Sequence, residues 1–258
     1  MKILSTQSIE IIKTLTLNHL KIKYKRTSLG FLWSLLNPLL VVGVISAVFS
    51  IMMGMKYSEF IIMFFPAFLA WNLFSNSVLG ATTSIINNES LIRKTPINLM
   101  IFPIVNISIN FIEFLLTFFS FTIIAFFIGL ESNINLFYIP LSILLLMIFT
   151  LGISLIVSVV ATYMRDMAYL IGVLLQLWFY LSPILYQKDF IMGKYWLLDI
   201  FLTINPIVYI VDMFRVPITH SSPLSMELII IVSVMSIFSL ILGIYVFDQN
   251  RYKLVYRL

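Results

Sequence analysis

Long uncharged stretches dominate the pattern of hydrophobic and polar positions along this chain. Five of them contain no Asp, Glu, Lys or Arg: residues 27–55, 60–88, 132–164, 167–187 and 228–247. About 20 consecutive apolar residues are enough for a helix to cross the hydrocarbon layer of a bilayer. The pattern therefore predicts a multi-pass helical membrane protein and excludes a soluble enzyme.

These five stretches, together with residues 99–129, in which Glu113 is the single charged residue, predict six transmembrane helices in an all-α membrane fold. Asn37-Pro38, inside the first span, predicts a kink, because proline removes a backbone donor and crowds the preceding turn. Segment 187–227 holds apolar pieces that are too short to span, so we predict short re-entrant helices between the fifth and sixth spans. The predicted spans are residues 30–54, 60–82, 99–129, 137–163, 168–186 and 228–247.

The first 26 residues are polar and basic. The apolar core of a secretory signal sequence would begin earlier and be shorter, so we expect the first span to stay in the membrane. Residues 8–23 place apolar side chains between basic ones, which favours an amphipathic helix on the membrane surface; a solvated basic tail is the alternative. The predicted organisation is a single transmembrane domain, residues 1–258. Its parts are the interfacial helix (1–28), spans one to five (29–186), the re-entrant segment (187–227), span six (228–247) and a tail (248–258).

Composition and charge add an orientation to this topology. Apolar residues make up 61% of the chain and charged residues 10%, with a mean hydropathy of +1.06. With six spans, twelve of the 16 Lys and Arg residues fall on one side of the membrane. Basic loops face the cytoplasm, so both termini are predicted to be cytoplasmic. Such loops facing anionic lipid account for the net charge of +5, and no nucleic-acid partner is expected.

Motifs for catalysis, metal binding and ATP hydrolysis are absent from the sequence. The chain has no cysteine, and its two histidines, His19 and His220, are far apart, so no metal site is predicted. No phosphate-binding GxxxxGK[ST] loop occurs, so ATP hydrolysis would need a separate subunit. We expect a transport subunit without catalytic residues that binds no cofactor of its own.

Two charged features in this apolar chain allow both a functional and a structural interpretation. Glu113 lies midway along the third span, where a lone carboxylate should face protein or water. It is either a translocation residue or an interhelical packing contact. Arg165 and Asp166 lie between the fourth and fifth spans, where a local ion pair would hold a helical corner. The aromatic residues also allow two interpretations. They either form belts at the two membrane interfaces or line a polysaccharide path, where they stack on sugar rings.

Seven short segments are distinctive in their order and spacing. They are residues 24–39 (YKRTSLGFLWSLLNPL), 88–94 (NESLIRK), Phe102-Pro103, 163–166 (YMRD), 180–186 (YLSPILY), Asn205-Pro206 and Phe214-Arg215. Together they resemble the ABC-2-type permeases that export polysaccharides, and the resemblance covers nearly the whole chain. It implies the membrane subunit of an exporter of the O-antigen, capsule or teichoic-acid type in a bacterial inner membrane.

The resemblance also implies partners. Two copies of the chain would form a channel for a lipid-linked polysaccharide within the membrane lipids. Two copies of a cytoplasmic nucleotide-binding ABC subunit would hydrolyse ATP with Mg²⁺, in agreement with the missing phosphate-binding loop.

Roles for individual residues follow from the same resemblance. The ATPase-coupling helix would comprise Glu89, Ser90, Leu91, Ile92, Arg93 and Lys94. Basic residues at the substrate entry would be Lys21, Lys23, Lys25 and Arg26. Channel-lining candidates on the first and fifth helices are Phe31, Trp33, Ser34, Asn37, Gln176, Tyr180 and Ser182. The structural corner would be Arg165 and Asp166.

Two other functions stay open at this point. An ABC-2 exporter of drugs or small lipids would have the same topology. A membrane-embedded enzyme acting on lipid-linked sugars would normally show clustered carboxylates near one membrane face. Here Asp189, Asp199 and Asp212 are spread along the chain, which favours the exporter.

Overall fold

The computed structural model describes residues 6–25, 30, 32–129, 133–219 and 223–257. Within these ranges the chain forms helices joined by short turns and no β-strand, which confirms the predicted all-α class. The α-helices are α1 (Thr6–Tyr24), α2 (Leu32–Met53), α3 (Tyr57–Ser84), α4 (Glu89–Lys94), α5 (Ile101–Ile128), α6 (Ile139–Tyr163), α7 (Met167–Leu181), α8 (Trp196–Ile204), α9 (Pro206–Thr219) and α10 (Met226–Arg257). Short 3₁₀ turns lie at Ile86–Asn88, Ile134–Tyr138 and Lys188–Phe190.

Five of the described helices are long and apolar enough to cross a membrane: α2, α3, α5, α6 and α10. They coincide with the predicted first, second, third, fourth and sixth spans. Helix α10 continues well beyond residue 247, so the predicted tail is an extension of the last span over its described part.

Helix α7, in the predicted fifth span, is shorter than the uncharged run suggests. It has 15 residues, about 22 Å of helix at 1.5 Å per residue. Pro183 explains the early end, because the residue before a proline is driven out of the helical region. Ser182 accordingly has φ −90° and ψ 146°. The chain then makes a turn in which Ser182, Pro183, Ile184 and Leu185 are buried.

The predicted pair of short helices between the fifth and sixth spans is present as α8 and α9. They meet at an angle of 72° around Asn205. Asn205 is extended, with ψ 112°, because Pro206 follows it. Its side-chain oxygen accepts a hydrogen bond from the Ile207 backbone at 3.0 Å, which caps the first turn of α9. Helix α9 then packs against α3, α6 and α10, so this segment returns into the bundle.

Helix α3 lies at the centre of the larger hydrophobic core. Its residues Phe60, Phe64, Phe65 and Phe74 are fully buried, and the helix packs against α2, α5, α6 and α9. Phe65 meets Phe121 of α5 edge-on, with ring centroids 5.1 Å apart. This aromatic stripe fixes the position of α3 relative to its neighbours.

A second, smaller core lies where α3 ends and α5 begins. Ile85, Phe102, Val159 and Phe247 are buried in it, and Leu15 of α1 packs against it. We call this end of the bundle the basic face and the other end, where α3 begins, the opposite face. Basic residues of the basic face include Lys94, Arg165, Arg251 and Lys253.

Helices α6 and α10 approach each other very closely. Gly152 of α6 faces Ser239 of α10, and a Cβ atom at Gly152 would lie 2.3 Å from the Ser239 backbone carbonyl. The hydroxyl groups of Ser236 and Ser239 donate to the carbonyls of Leu145 and Phe149, each at 3.0 Å. Small residues permit this approach, and side chain to backbone hydrogen bonds join the two helices.

The close α6–α10 contact predicts that Gly152→Ala destabilises the protein. The added methyl group would overlap the α10 backbone, and overpacking of this kind costs about 1–3 kcal/mol. The midpoint of thermal denaturation, followed in detergent by size-exclusion chromatography after heating, should fall. Gly172→Ala is the matched control, because its Cβ would meet only Leu79 Cδ1, at 3.7 Å. Equal midpoints for the two variants would contradict the packing.

Candidate functional site

A cavity of about 510 Å³ lies between the end of α1, the start of α2 and the middles of α3 and α5. Its lining is unusually polar for a bundle of apolar helices. The polar lining residues are Lys23, Tyr24, Ser34, Asn37, Asn72, Asn76, Asn110, Glu113 and Thr117.

Glu113 joins α5 to the end of α1 at this cavity. Its carboxylate forms an ion pair with the Lys23 ammonium group. The Tyr24 hydroxyl donates to the same carboxylate oxygen at 3.1 Å. Burial raises the pKa of the Tyr24 phenol, and the negative charge of Glu113 acts in the same direction. Tyr24 therefore keeps its proton and remains a donor.

The cavity also places Glu113 beside one half of α2. The α2 residues that border it run from Trp33 to Val41 and belong to the first half of that helix. The sequence left two interpretations of Glu113, a translocation residue and an interhelical packing contact. The structure contains the interhelical contact, which Glu113 makes with α1 at the edge of the cavity.

Carboxamide groups line much of the cavity. Asn72 and Asn76 are four residues apart, and so lie on one face of α3; Asn37 belongs to α2. Within the described ranges, the side chains of these three residues make no hydrogen bond. Asn110 of α5 donates to the Asn106 carbonyl at 3.0 Å. Amides without partners in an apolar layer are costly, so this surface must face water, a ligand or another protein surface.

A second, shallower depression lies on the other side of Asn76. It has a volume of about 250 Å³, and Asn76 borders both depressions. Its lining includes Ser75 of α3 and the side chains of Gln176 and Tyr180 on α7. The two depressions thus form one polar surface across α2, α3 and α7. We call it the polar track; it comprises Ser34, Asn37, Asn72, Asn76, Gln176 and Tyr180.

The polar track brings together the channel-lining candidates from the first and fifth predicted spans. Trp33, Ser34 and Asn37 border the larger depression, whereas Gln176 and Tyr180 border the smaller one. Sequence reasoning missed the residues of α3 that connect them. Their signal was available, since Asn72 and Asn76 repeat at a helical spacing in an otherwise apolar span.

Ser182 lies away from the polar track. It is fully buried and accepts a hydrogen bond from the Asn205 amide at 2.9 Å. The Asn205 oxygen in turn accepts from the Trp178 indole at 2.9 Å. Ser182 therefore fixes the turn after α7 against the α8–α9 bend. Phe31, another channel-lining candidate, lies outside the described residues.

The basic residues predicted at the substrate entry separate into two kinds. Lys21 and Lys25 are exposed, and neither forms an ion pair within the described part of the chain. Lys23 is held by Glu113 at the cavity. Arg26 lies outside the described residues. The two exposed cationic groups of Lys21 and Lys25 therefore lie outside the lining of the cavity.

The segment predicted as the coupling helix is helix α4, Glu89–Lys94, with the same bounds. Leu91 and Ile92 are partly buried against the second core, whereas Ser90 and Lys94 are exposed. Arg93 binds Glu89 along the helix at 2.8 Å. Helix α4 is thus anchored on one side to the bundle and free on the other.

Arg165 and Asp166 lie in the turn between α6 and α7, as expected for a corner. The predicted ion pair between them is not present, since both side chains are exposed and neither forms a salt bridge within the described residues. The turn is held by its backbone instead. The Asp166 carbonyl accepts from the N–H groups of Tyr169 and Leu170 at 3.1 and 3.2 Å.

Arg215 organises the opposite face. Its guanidinium group is buried in α9 and donates to the carbonyls of Met63, Pro183 and Ile184 at 3.0–3.1 Å. One turn earlier, Asp212 binds Lys188 at 2.9 Å. This hydrogen bond raises the pKa of the Lys188 ammonium group. These contacts join the re-entrant segment to the start of α3.

Comparison with known proteins identifies the class to which this bundle belongs. A family model described as ABC-2 type transporter matches residues 10–219, most of the chain. The matched region includes α4, the polar track and the bent α8–α9 pair. The chain belongs to the ABC-2 type transporter family, as the seven sequence segments indicated.

Named relatives fall within polysaccharide export. An O-antigen export system permease protein RfbA of Klebsiella pneumoniae is 27% identical over 246 residues, which are 95% of this chain and 93% of that protein. The RfbA protein of Myxococcus xanthus is 26% identical over 205 residues, 80% and 78% of the two chains. The polysialic acid transport protein KpsM of Escherichia coli is 23% identical over 210 residues, 79% of each chain.

The Lys23–Glu113 contact predicts an order of stabilities for variants at Glu113. Glu113→Gln removes the ion pair but keeps an acceptor for Tyr24, and a partly exposed ion pair is worth about 0.2–1 kcal/mol. Glu113→Leu also removes the acceptor, which costs about 1 kcal/mol more. Thermal midpoints in detergent should therefore decrease from wild type to Gln to Leu.

The matched control is Glu59→Gln, because the Lys56–Glu59 pair is exposed and 3.7 Å long. It should leave the midpoint unchanged. In a Lys23→Met background, the decrease in thermal midpoint that Glu113→Gln causes should be smaller. An equal decrease in both backgrounds would show that the ion pair does not stabilise the contact between α1 and α5.

Proposed function

We propose that this chain is the membrane-channel subunit of an ATP-driven ABC exporter that moves a lipid-linked polysaccharide across the inner membrane of a bacterium. Membership of the ABC-2 family makes it a transport subunit. The names of its relatives, O-antigen export permease and polysialic acid transport protein, support a polysaccharide as the cargo. An exporter of drugs or small lipids is less well supported, because no relative named above carries such a description.

The polar track is the observation that carries this proposal. Asn37, Asn76 and Gln176 are exposed on helices that are otherwise apolar, and such groups need hydrated surroundings. A sugar chain offers many hydroxyl groups that can exchange hydrogen bonds with carboxamides. The neighbouring aromatic side chains Trp33 and Tyr180 offer faces for the C–H surfaces of sugar rings.

A second copy of the chain would complete the channel. In one protomer the track is an open surface between α2 and α7. Two copies that face each other through these helices would enclose their tracks and place the amides around a shared path. This arrangement would also remove the amides of both copies from contact with lipid tails.

Helix α4 is the proposed docking site of the ATPase subunits, which would use ATP and Mg²⁺. Its exposed residues Ser90 and Lys94 would meet the partner. Leu91 and Ile92 would transmit its movement, because they pack on a core that contains parts of α5, α6 and α10. The chain has no phosphate-binding loop of its own, so the energy must enter from a partner.

The proposed orientation places the basic face, and with it both termini, in the cytoplasm. The chain has no cysteine, so single cysteines introduced at chosen positions can report on this orientation directly. Lys194→Cys, on the opposite face, should react with a membrane-impermeant maleimide in intact cells. Lys94→Cys should react only after the membrane is opened, and the reverse pattern would invert the topology.

Docking through α4 predicts the effect of Ser90→Trp and Lys94→Glu. Each change alters the exposed side of α4 and leaves its packing on the second core intact. The amount of ATPase subunit that co-purifies with the chain, and ATP hydrolysis in lipid nanodiscs, should each fall by about tenfold or more, the effect of losing about 1.4 kcal/mol of binding energy.

Lys253→Glu serves as the control, since it also reverses a charge on the basic face but lies on α10. It should retain the complex. Full binding and hydrolysis with both α4 variants would exclude α4 as the docking site. If the wild-type chain binds no ATPase from its own cell, the exporter proposal itself fails.

A further inference from the structure

We propose that the cavity between α1, α2, α3 and α5, which is the part of the polar track next to α1, binds a neutral sugar residue carried on a lipid. This proposal rests on the proposed function, since it names a subsite for the same cargo. The cavity volume of about 510 Å³ falls within the range of about 300–1,000 Å³ that is usual for small-molecule sites.

The charges of the cavity favour a neutral ligand. Lys23 and Glu113 are its charged lining residues, and they neutralise each other in an ion pair. A phosphate group here would have to compete with Glu113 for Lys23 and would meet a carboxylate. The exposed Lys21 and Lys25 do not line the cavity. The cavity itself therefore offers no unpaired cationic group to a phosphate.

The remaining polar groups match hydroxyl groups well. The carboxamides of Asn37, Asn72 and Asn76 each offer two donors and an acceptor oxygen, and all of these are free within the described part of the chain. The aliphatic hydroxyls of a sugar are both donors and acceptors, so they can pair with either end of an amide. A purely apolar ligand would leave these amides without partners, at a cost.

Aromatic side chains complete the match. Trp33, Phe68 and Phe114 line the same cavity as the amides. Trp33 is 47% exposed, so its indole ring can lie against a ligand at the cavity opening. Flat apolar surfaces beside polar edge groups are the combination that a pyranose ring requires, because its faces carry C–H bonds and its rim carries hydroxyls.

The position of the cavity agrees with a lipid-borne ligand. It is bordered by α2 residues from Trp33 to Val41, in the first half of that helix, and by Lys23 and Tyr24 at the end of α1. A lipid whose chain lies along the apolar surface of α2 would therefore bring its first sugar to the cavity, next to Asn72.

The test is a binding titration with the full chain in lipid nanodiscs. The probes are a short-chain polyprenyl diphosphate that carries one N-acetylhexosamine, the same diphosphate without sugar, and a diacylglycerol glucoside. Tryptophan fluorescence is the readout, because Trp33 lines the cavity. Trp33→Phe keeps an aromatic wall and should remove most of the ligand-dependent signal.

The wild-type chain should bind the sugar diphosphate more tightly than the sugar-free diphosphate. Asn72→Leu should weaken binding of the sugar-bearing probe by roughly three- to tenfold, the net value of about one hydrogen bond. It should leave the sugar-free probe unaffected. Thr122→Val, which removes a hydroxyl from the exposed side of α5, is the control and should change neither affinity. The diacylglycerol glucoside separates a membrane glycolipid from a diphosphate-linked carrier as the source of the sugar.

Three outcomes would overturn the proposal. Equal wild-type affinity for both diphosphates would show that the cavity does not recognise sugar. Equal loss for both probes in Asn72→Leu would show that the residue acts on the fold. A disulfide between two copies of Asn72→Cys would show that the second copy fills the cavity. ATPase binding is measured on the same samples, so a failed subsite with an intact complex leaves the proposed function standing.

Discussion

Water is scarce in the hydrocarbon layer of a membrane, so each polar group there must find a partner in the protein or face a hydrated space. Most polar groups of this bundle satisfy that constraint internally. Ser236 and Ser239 donate to carbonyls of α6, and Arg215 donates to three carbonyls at once. Within the described part of the chain, the side chains of Asn72 and Asn76 make no hydrogen bond. A few buried hydroxyls there, such as those of Ser77 and Thr150, also lack a partner, but Asn72 and Asn76 line a cavity. The constraint that explains the packing therefore also identifies the amide-lined surface of the cavity as one that must meet water, a ligand or another protein surface.

The opposite face shows how the same constraint tolerates broken helices. Pro183 ends α7 and Pro206 begins α9, and each break frees backbone groups from the helical pattern. Arg215 accounts for the carbonyls of Pro183 and Ile184, while Asn205 caps α9 and binds Trp178 and Ser182. A bend of 72° is therefore compatible with a largely apolar segment. Irregular backbone persists here because specific side chains satisfy it.

Local signals in the sequence were enough to predict most helices. They were not enough to predict contacts between distant segments. Uncharged runs located four of the five long helices, and the fifth, α5, was found because Glu113 is the single charge in its apolar stretch. Helix α4 has the bounds that the family motif predicted. The end of α7 could have been found from Pro183, whereas the length of the uncharged run concealed it. The Lys23–Glu113 pair joins residues 90 positions apart, so no local pattern could reveal it. The predicted Arg165–Asp166 pair failed because adjacent side chains on a turn can both point to solvent.

Helices α3 and α5 connect the two regions to which function is assigned. Ile85, just after α3, and Phe102, at the start of α5, belong to the core on which α4 rests. Asn72 and Asn110 lie further along the same two helices and line the cavity. A movement of α4, as the proposed coupling requires, would therefore reach the cavity through continuous helices, which are stiff because their Phe residues pack closely. The Lys23–Glu113 pair attaches α1 to α5 at the same level. A shift of α5 would thus change the cavity and the position of α1 together.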